Sequence, residues 1–550
     1  MGGGPILHLE KKPGWLVIGL VMLLLALGRP CQVQAEDQNP PTPSPSLEQR
    51  LQQLEAMNRA VLEQNRKLLE REQLQQAEAD ARYQSLEQRY EELRARLESK
   101  PAFHEAVSSS TTLEAMDQDS ESLWQLRPEA MPERPEPWVR PLKAQLGEGF
   151  EFKTADEEYS LRLRILDQTD FKSFVPGNQF PAKSGLYIPR VRLYFEGELT
   201  RLFGYEVSLQ RSVDGVWDLL DANLKINADR RFQMIFGRQL VPYSYDWYDH
   251  LEQHFITPER ALFPLNFGLS REAGLLARGL LFDDRLQYAL GGFDGRLVGV
   301  ADDNNTRDAV GYLNARPFLK NDEFPLLKYL NVGASGFIGR QLGAQAPLPL
   351  RTSIQSSEND EAANQASSEI LRFREDVVTL GQRYGTALHL AWYYKQFSLE
   401  SEVNSSHIQF ARSGHPGDRP LVPIMGSHVT AGYFLTGETV TGRNMVDPLR
   451  PLQRRKEGGV TGLGAVELFA RYSRLTLSPQ VFHDELADPN AWTRQAYATD
   501  VGWNWYLNRY IKLYFDWQHV GYGSPVLINP NTDLYSRTND LFWMRCQVYF

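Results

Sequence analysis

The sequence lacks most of the features that would place it in a familiar soluble or helical class. Its 550 residues contain 2 cysteines, too few for a disulfide framework. After the N-terminal stretch there is no run of 18 apolar residues, which excludes spanning helices but leaves open strands that cross a membrane. No Gly-x-Ser-x-Gly stretch and no His/Cys grouping with zinc spacing occur, so the usual marks of a nucleophilic or metal hydrolase are missing. "GVTGLGAVEL" at 459–468 is followed by a strand pattern rather than a helix, which removes the phosphate-loop reading. The acidic run "DDNNTRD" at 302–308 reads as a solvated turn rather than a calcium loop. The formal net charge of -10 offers nucleic acid nothing. No cofactor and no metal are expected.

What is present falls into five stretches. Lys11 and Lys12 precede an apolar segment, Trp15 to Leu27, and "VQA" at 33–35 suits a small-residue cleavage site; residues 1–35 read as a signal peptide. Cleavage there would leave Cys546 as the one cysteine. A linker, 36–46, leads into residues 47–98, where Leu47, Leu51, Leu54, Asn58, Val61, Asn65 and Leu68 keep a 4-3 spacing. After a slip the spacing resumes from Ala79 to Leu97, without Gly or Pro, and predicts an α-helical coiled coil. Its length at 1.5 Å per residue would be roughly 78 Å. Residues 99–146 are Pro- and Ser-rich and read as a second linker.

From 147 to 550 the texture is different. Alternating segments of about ten residues recur between Gly, Asn, Asp and Pro clusters. "YSLRLRILDQ" (159–168) sets Leu161, Leu163 and Ile165 against Arg162 and Arg164. "YIPRVRLYFEGEL" (187–199) sets Val191, Leu193 and Phe195 against Arg190, Arg192, Tyr194 and Glu196. "YIKLYFDW" (510–517) and "LFWMRCQVYF" (541–550) repeat the scheme, with Lys512 and Arg545 on the polar side. The composition, with 24 Tyr, 27 Phe, 11 Trp and 41 Gly, suits many strands and turns. An export signal together with an apolar outer face and a charged inner one predicts an all-β fold. That fold is a transmembrane antiparallel barrel of about sixteen to eighteen strands, closed because an unpaired edge cannot sit in lipid.

Five stretches then resemble the phosphate-selective porin O and P family: "GRQLVPYS" at 237–244, "GYFLTGE" at 432–438, "GAVELFARYSRLTL" at 464–477, "WNWYLNRYIKLYFDW" at 503–517 and the terminal "MRCQVYF". The resemblance implies sixteen strands, a homotrimer and short periplasmic turns. It also implies a third surface loop folded into the pore, near Pro242–Arg271. Phe550 would be the aromatic read by the barrel assembly machinery. The location implied is the outer membrane of a Gram-negative bacterium, among its lipids, with the coiled coil in the periplasm.

A pore needs no nucleophile; it needs a polar lumen and a constriction whose charges select. Arginine suits oxyanions because its fork of donors matches their oxygens. Pore-lining candidates are therefore Arg162, Arg164, Arg190, Arg192, Arg238, Lys512 and Arg545; the bland alternative is that they pair with lumen acids such as Glu196 and brace the wall. Candidates in the constriction loop are Tyr245, Trp247, Asp249, Glu252, Arg260 and Arg271, whose aromatics either line a solute path or pack the loop. Two features weigh against phosphate: Pro189 stands where the family tends to have one of a pair of arginines, and the loop carries several acids. The reading is a porin giving passive diffusion of small hydrophilic solutes, with anions such as phosphate foremost. The alternatives are a structural anchor or spacer, with the coiled coil touching the cell wall, and a barrel hydrolase.

Overall fold

The computed structural model describes residues 141–295, 306–355, 361–415, 417–455 and 458–550. The expected signal peptide and coiled coil lie outside the described residues. The chain opens with a hairpin of β1 (Leu142–Gly147) and β2 (Gly149–Thr154). The wall follows as β3 (Ser160–Val175), β4 (Gly185–Glu198), β5 (Phe203–Ser212), β6 (Trp217–Asp229) and β7 (Phe232–Leu240). It continues as β8 (Arg271–Leu281), β9 (Leu286–Phe293), β10 (Asp308–Ala315) and β11 (Tyr329–Gln345). Two short strands, β12 (Leu350–Arg351) and β13 (Glu369–Leu371), belong to the next connection. The wall resumes with β14 (Val377–Tyr394), β15 (Phe397–Arg412) and β16 (Leu421–Phe434). A second pair, β17 (Gln453–Arg454) and β18 (Val460–Thr461), precedes β19 (Ala465–Leu477), β20 (Gln495–Tyr506), β21 (Ile511–Asn529) and β22 (Leu534–Tyr549).

Sixteen of these strands pair antiparallel with their sequence neighbours, and β22 pairs with β3, from Asp540↔Val175 to Tyr549↔Leu166. The sheet is thus a closed 16-stranded barrel with no free edge among its wall strands. The last pairing is completed by Phe550, whose N–H donates to the Ile165 carbonyl (3.1 Å) and whose carbonyl accepts from the Ile165 N–H (2.8 Å). Below it β2 takes over the same edge of β3, pairing Phe150 with Leu163, and the Phe150 and Phe550 rings meet edge to face at 5.8 Å.

The alternation read from the sequence decides the two faces. On β22, Phe542 and Met544 are 52% and 42% exposed while Trp543 and Arg545 are 3% and 0%. Aromatic rings crowd the outer face near both rims: Trp503 stacks on Phe515 toward the end that holds Ser160 and Phe550 (the termini end), and Tyr472 on Tyr497 toward the far end. An apolar band between aromatic girdles is what lipid demands of a barrel's outside.

Short periplasmic turns were expected. The turns at the termini end include tight ones at 230–231 and 395–396, but β16 and β19 are joined there by residues 435–464. That segment is long because part of it enters the lumen. At the other end β11 runs to Gln345 and the wall resumes only at Val377.

Candidate functional site

The third far-end connection, residues 241–270, folds inside the barrel, as the family resemblance implied. A backbone buried in a lumen must find partners for its carbonyls, and the polar inner face supplies them. Gln547 Nε2 donates to the Gln253 carbonyl (2.9 Å), Lys512 Nζ to Phe255 (2.5 Å) and Asn504 Nδ2 to Ile256 (2.8 Å). Arg545 donates to the Pro258 carbonyl, and Arg471 Nη1 to that of Glu259 (2.5 Å). Four strands, β19 to β22, thereby hold one run of loop backbone.

The other half of the loop is held from the opposite wall. Glu402 on β15 accepts from the Ser244 hydroxyl (2.6 Å) and the Tyr245 N–H (2.5 Å). Asp249 accepts from Tyr312 and from Gln287 Nε2 (3.0 Å). Tyr245 stacks on His389 at 4.4 Å. The short helix Leu262–Phe267 packs its apolar side on β16 and β19, with Phe263 seated where Gly426 has no side chain.

Ion pairs fix the loop's acids. Arg192 Nη1 reaches Glu252 (2.7 Å), Arg190 Nη2 reaches Glu259 (2.5 Å), and Arg260 lies over the Trp247 ring at 4.0 Å while pairing with Glu252 at 3.4 Å. Burial alone would raise the Glu252 carboxyl; Arg192 and Arg260 outweigh it and hold it well below its usual range. His250 faces Glu400 (3.6 Å) and Asp246 (3.9 Å). Burial works against its charged form, but these acids prevail and its pKa is raised. His254, four residues on, is pushed down to about 4 by burial and then by Lys512.

The lumen is divided at this loop. On its far side lies a cavity of about 290 Å³ that Arg190, Arg192, Arg238, Arg260, Arg271 and Arg383 all line. Its other wall is apolar, built from Trp247, Phe267, Leu269, Phe337, Phe373 and Phe410. On the termini side lies a cleft of about 20 Å³ lined by His254, Arg443, Met445, Tyr506 and Lys512. Glu252 lines the first and Gln253 and His254 the second, so the single turn Glu252–His254 stands between them.

The expected arginine track is therefore split by depth. Arg190, Arg192 and Arg238 meet at the large cavity together with the loop's Arg260, Arg271, Trp247 and Glu252. Arg190 follows a bulge that interrupts the β3–β4 register between Gln168 and Asp170; Pro189, with no N–H to donate, is accommodated there. Arg162 and Arg164 lie near the termini end, tied to Glu151 (2.8 Å) and Glu196 (2.6 Å), with Arg164 also donating to the Tyr549 hydroxyl. For these two the bracing alternative describes the contacts. Arg545 is sealed against Asp170 (2.6 Å). Lys512 lines the small cleft, Tyr245 packs in the core, and Asp249 anchors the loop to β9 and β10.

Reasoning from sequence missed Arg383 and Arg443. Arg383 follows a bulge on β14 in which Gly381 takes φ +116°, and it pairs with Asp308 at 2.5 Å. Arg443, in the termini-end segment, reaches into the lumen to Glu400 (3.0 Å) and Glu467 (2.9 Å). The signal for Arg383 was the alternation of "GQRYGTALHL"; for Arg443 there was none, because it sits in a Gly- and Asn-rich connection. Among the described residues no group of three or more His, Cys, Asp or Glu side chains is placed to hold a metal ion.

The family profile for phosphate-selective porin O and P matches residues 161–550, the whole barrel. The chain belongs to the phosphate-selective porin O and P family. It is an outer-membrane channel protein, a porin. Solved structures similar to this porin include the anion-selective porin of Comamonas acidovorans, at 14% identity and a TM-score of 0.41, covering 72% of this chain and 100% of that one. OmpT of Vibrio cholerae in its trimer form is similar at 11% identity and 0.41, with the same coverage of both chains. The outer-membrane channel DcaP of Acinetobacter baumannii stands at 8% identity and 0.42, covering 72% of this chain and 99% of its own. No curated protein sequence matches it.

Proposed function

We propose that this porin gives small hydrophilic solutes a passive route across the outer membrane and favours anions, phosphate among them. The observation that carries the reading is the convergence of six arginines on one cavity inside the barrel. Guanidinium forks at a constriction recognise oxyanions by paired donors. Because Arg190, Arg192, Arg271 and Arg383 are each paired with a carboxylate, the preference arises from placed donors more than from net positive field, and is moderate. The working unit is a homotrimer, inserted by the barrel assembly machinery, and the coiled coil lies in the periplasm, within reach of the cell wall. The protein is not an enzyme.

The test is the reversal potential of the purified protein in planar bilayers under a salt gradient. We expect chloride to be preferred over potassium, and Arg190→Ala or Arg192→Ala to reduce that preference by about twofold or more. Cation preference in the unmodified channel would refute the anion reading. A second reading, an anchor with little transport, draws on the turn Glu252–His254 that separates the two cavities. Correctly folded protein with no conductance would establish it in place of the channel.

A further inference from the structure

The large cavity is made of two materials. One wall carries arginines; the other presents Phe337, Phe373, Phe410 and Ile408, with Leu265 and Leu269 from the loop. A passage for hydrated inorganic ions has no use for an apolar wall, which gains nothing from them. The cavity's volume, about 290 Å³, is that of a site for one small organic molecule.

The polar lining is also incomplete in a specific way, on the apolar side, where Arg383 of β14 lies between the strands of Phe337 and Phe410. Arg383 is 3% exposed and lines the cavity. Its Nη2 serves Asp308 (2.5 Å) and Glu272 (3.4 Å), but its Nε–H and Nη1–H have no acceptor in the protein. The indole Nε1–H of Trp247, on the same cavity, is likewise buried without an acceptor. Buried donors left unmade are costly and ask for a partner. Three buried donors that the protein leaves unanswered describe a site suited to an oxygen ligand.

The charge balance narrows that ligand further. Arg192 and Arg260 share Glu252, Arg190 takes Glu259, Arg271 takes Asp221, and Arg383 takes Asp308. With so much of the positive charge answered, little excess remains to repay a doubly charged phosphate for its lost hydration. A carboxylate brings one charge and two acceptor oxygens, and an attached ring or branched chain covers the phenylalanines. We propose that this cavity is a binding site for monocarboxylates with an aromatic or branched apolar body. Arg383 and Trp247 take the carboxylate, and Phe337, Phe373 and Phe410 take the apolar group. The proposal rests on the channel reading and names its preferred solute class.

The experiment uses the full chain in detergent, with heat-modifiable electrophoretic mobility as the check that the barrel is folded. Calorimetric titration with benzoate, acetate and inorganic phosphate should show benzoate binding at least about tenfold more tightly than the other two, the gain expected from burying a ring. In planar bilayers benzoate should reduce the chloride current over the same concentration range. Arg383→Gln should weaken benzoate by about tenfold or more, and Trp247→Phe, which keeps the ring and deletes the donor, by a few-fold. Equal affinity for benzoate and acetate overturns the site, as does undiminished benzoate binding in folded Arg383→Gln protein. These failures are separable from failure of the channel reading: a chloride-selective pore indifferent to benzoate loses only the site. A cation-selective pore that still binds benzoate loses only the anion reading.

Discussion

The two halves of the lumen, on either side of the turn Glu252–His254, are built from similar residues and arranged for different ends. Both contain buried arginines paired with carboxylates. In the far-end half the pairs lie around the edge of an open cavity of about 290 Å³, and the apolar residues face into it. In the termini-end half Arg443, carried into the lumen by the connection after β16, is bonded to Glu400, Glu467 and the Ser398 hydroxyl, and the remaining cleft is about 20 Å³. The difference lies in where each arginine is mounted. An arginine on a wall strand leaves space in front of it, whereas one on an inserted segment occupies the space itself. On the proposed reading the far half holds a solute and the near half restricts its exit.

The largest effect should come from the residue that ties the dividing loop to the wall. Arg545 is fully buried, pairs with Asp170 through both Nε and Nη2, and donates to the Pro258 carbonyl. Arg545→Ala leaves Asp170 buried and unpaired, a loss of about 3–5 kcal/mol for such pairs. Thermal unfolding followed by heat-modifiable mobility should show it, and adding Asp170→Asn should recover part of the loss. An unchanged transition would mean that the loop is held without this pair and that the division of the lumen does not depend on it.

A smaller effect should follow from Arg443→Ala, which sharpens the comparison itself. Removing the side chain that fills the termini-end half should raise single-channel conductance by about twofold or more while leaving the ion preference to the far half. Arg190→Ala should do the reverse, shifting preference with little change in conductance. If Arg443→Ala leaves conductance unchanged, the barrier lies wholly in the loop and the two halves are not distinct in function.

The halves differ too in how far they could be read from sequence. The wall was legible because a strand's period of two sorts side chains to lipid or lumen without further information: Phe542, Met544, Trp543 and Arg545 all fall on the sides expected of them. Depth along the barrel was not legible. Arg162, Arg164, Arg190 and Arg192 share the inward face, yet strand direction and tilt carry the first pair to the termini end, where they brace Glu151 and Glu196, and the second pair to the cavity. The inserted loop could be located by its order along the chain. The inserted turn-side segment could not, because "TGRNMVDP" has the composition of any solvated connection. Its burial follows from meeting Glu400 and Glu467, residues of two other strands.

The smallest expected effect is a dependence on pH, set by two histidines of the dividing loop in opposite electrostatic company. His250 is surrounded by Asp246, Asp249 and Glu400; burial opposes its charge, these acids prevail, and its pKa lies above the ordinary value. The contribution of its protonated form is therefore fully present below about pH 6.5 and lost as pH rises through the raised value. His254 is surrounded by Lys512, His250, Arg164 and Arg443, and burial with these cations lowers it to about 4. Its neutral form contributes fully above about pH 6.5, and the contribution declines as pH falls from there toward 4. The loop should accordingly be held most firmly near pH 6.5, where both contributions are close to complete. Open-channel noise and loop-closure events in planar bilayers should be least there and increase on both sides. His250→Gln should abolish the alkaline arm of that profile and His254→Gln the acid arm. A profile that both substitutions leave unaltered would show that neither histidine holds the turn, and that ion pairs such as Arg192–Glu252 alone keep the halves apart.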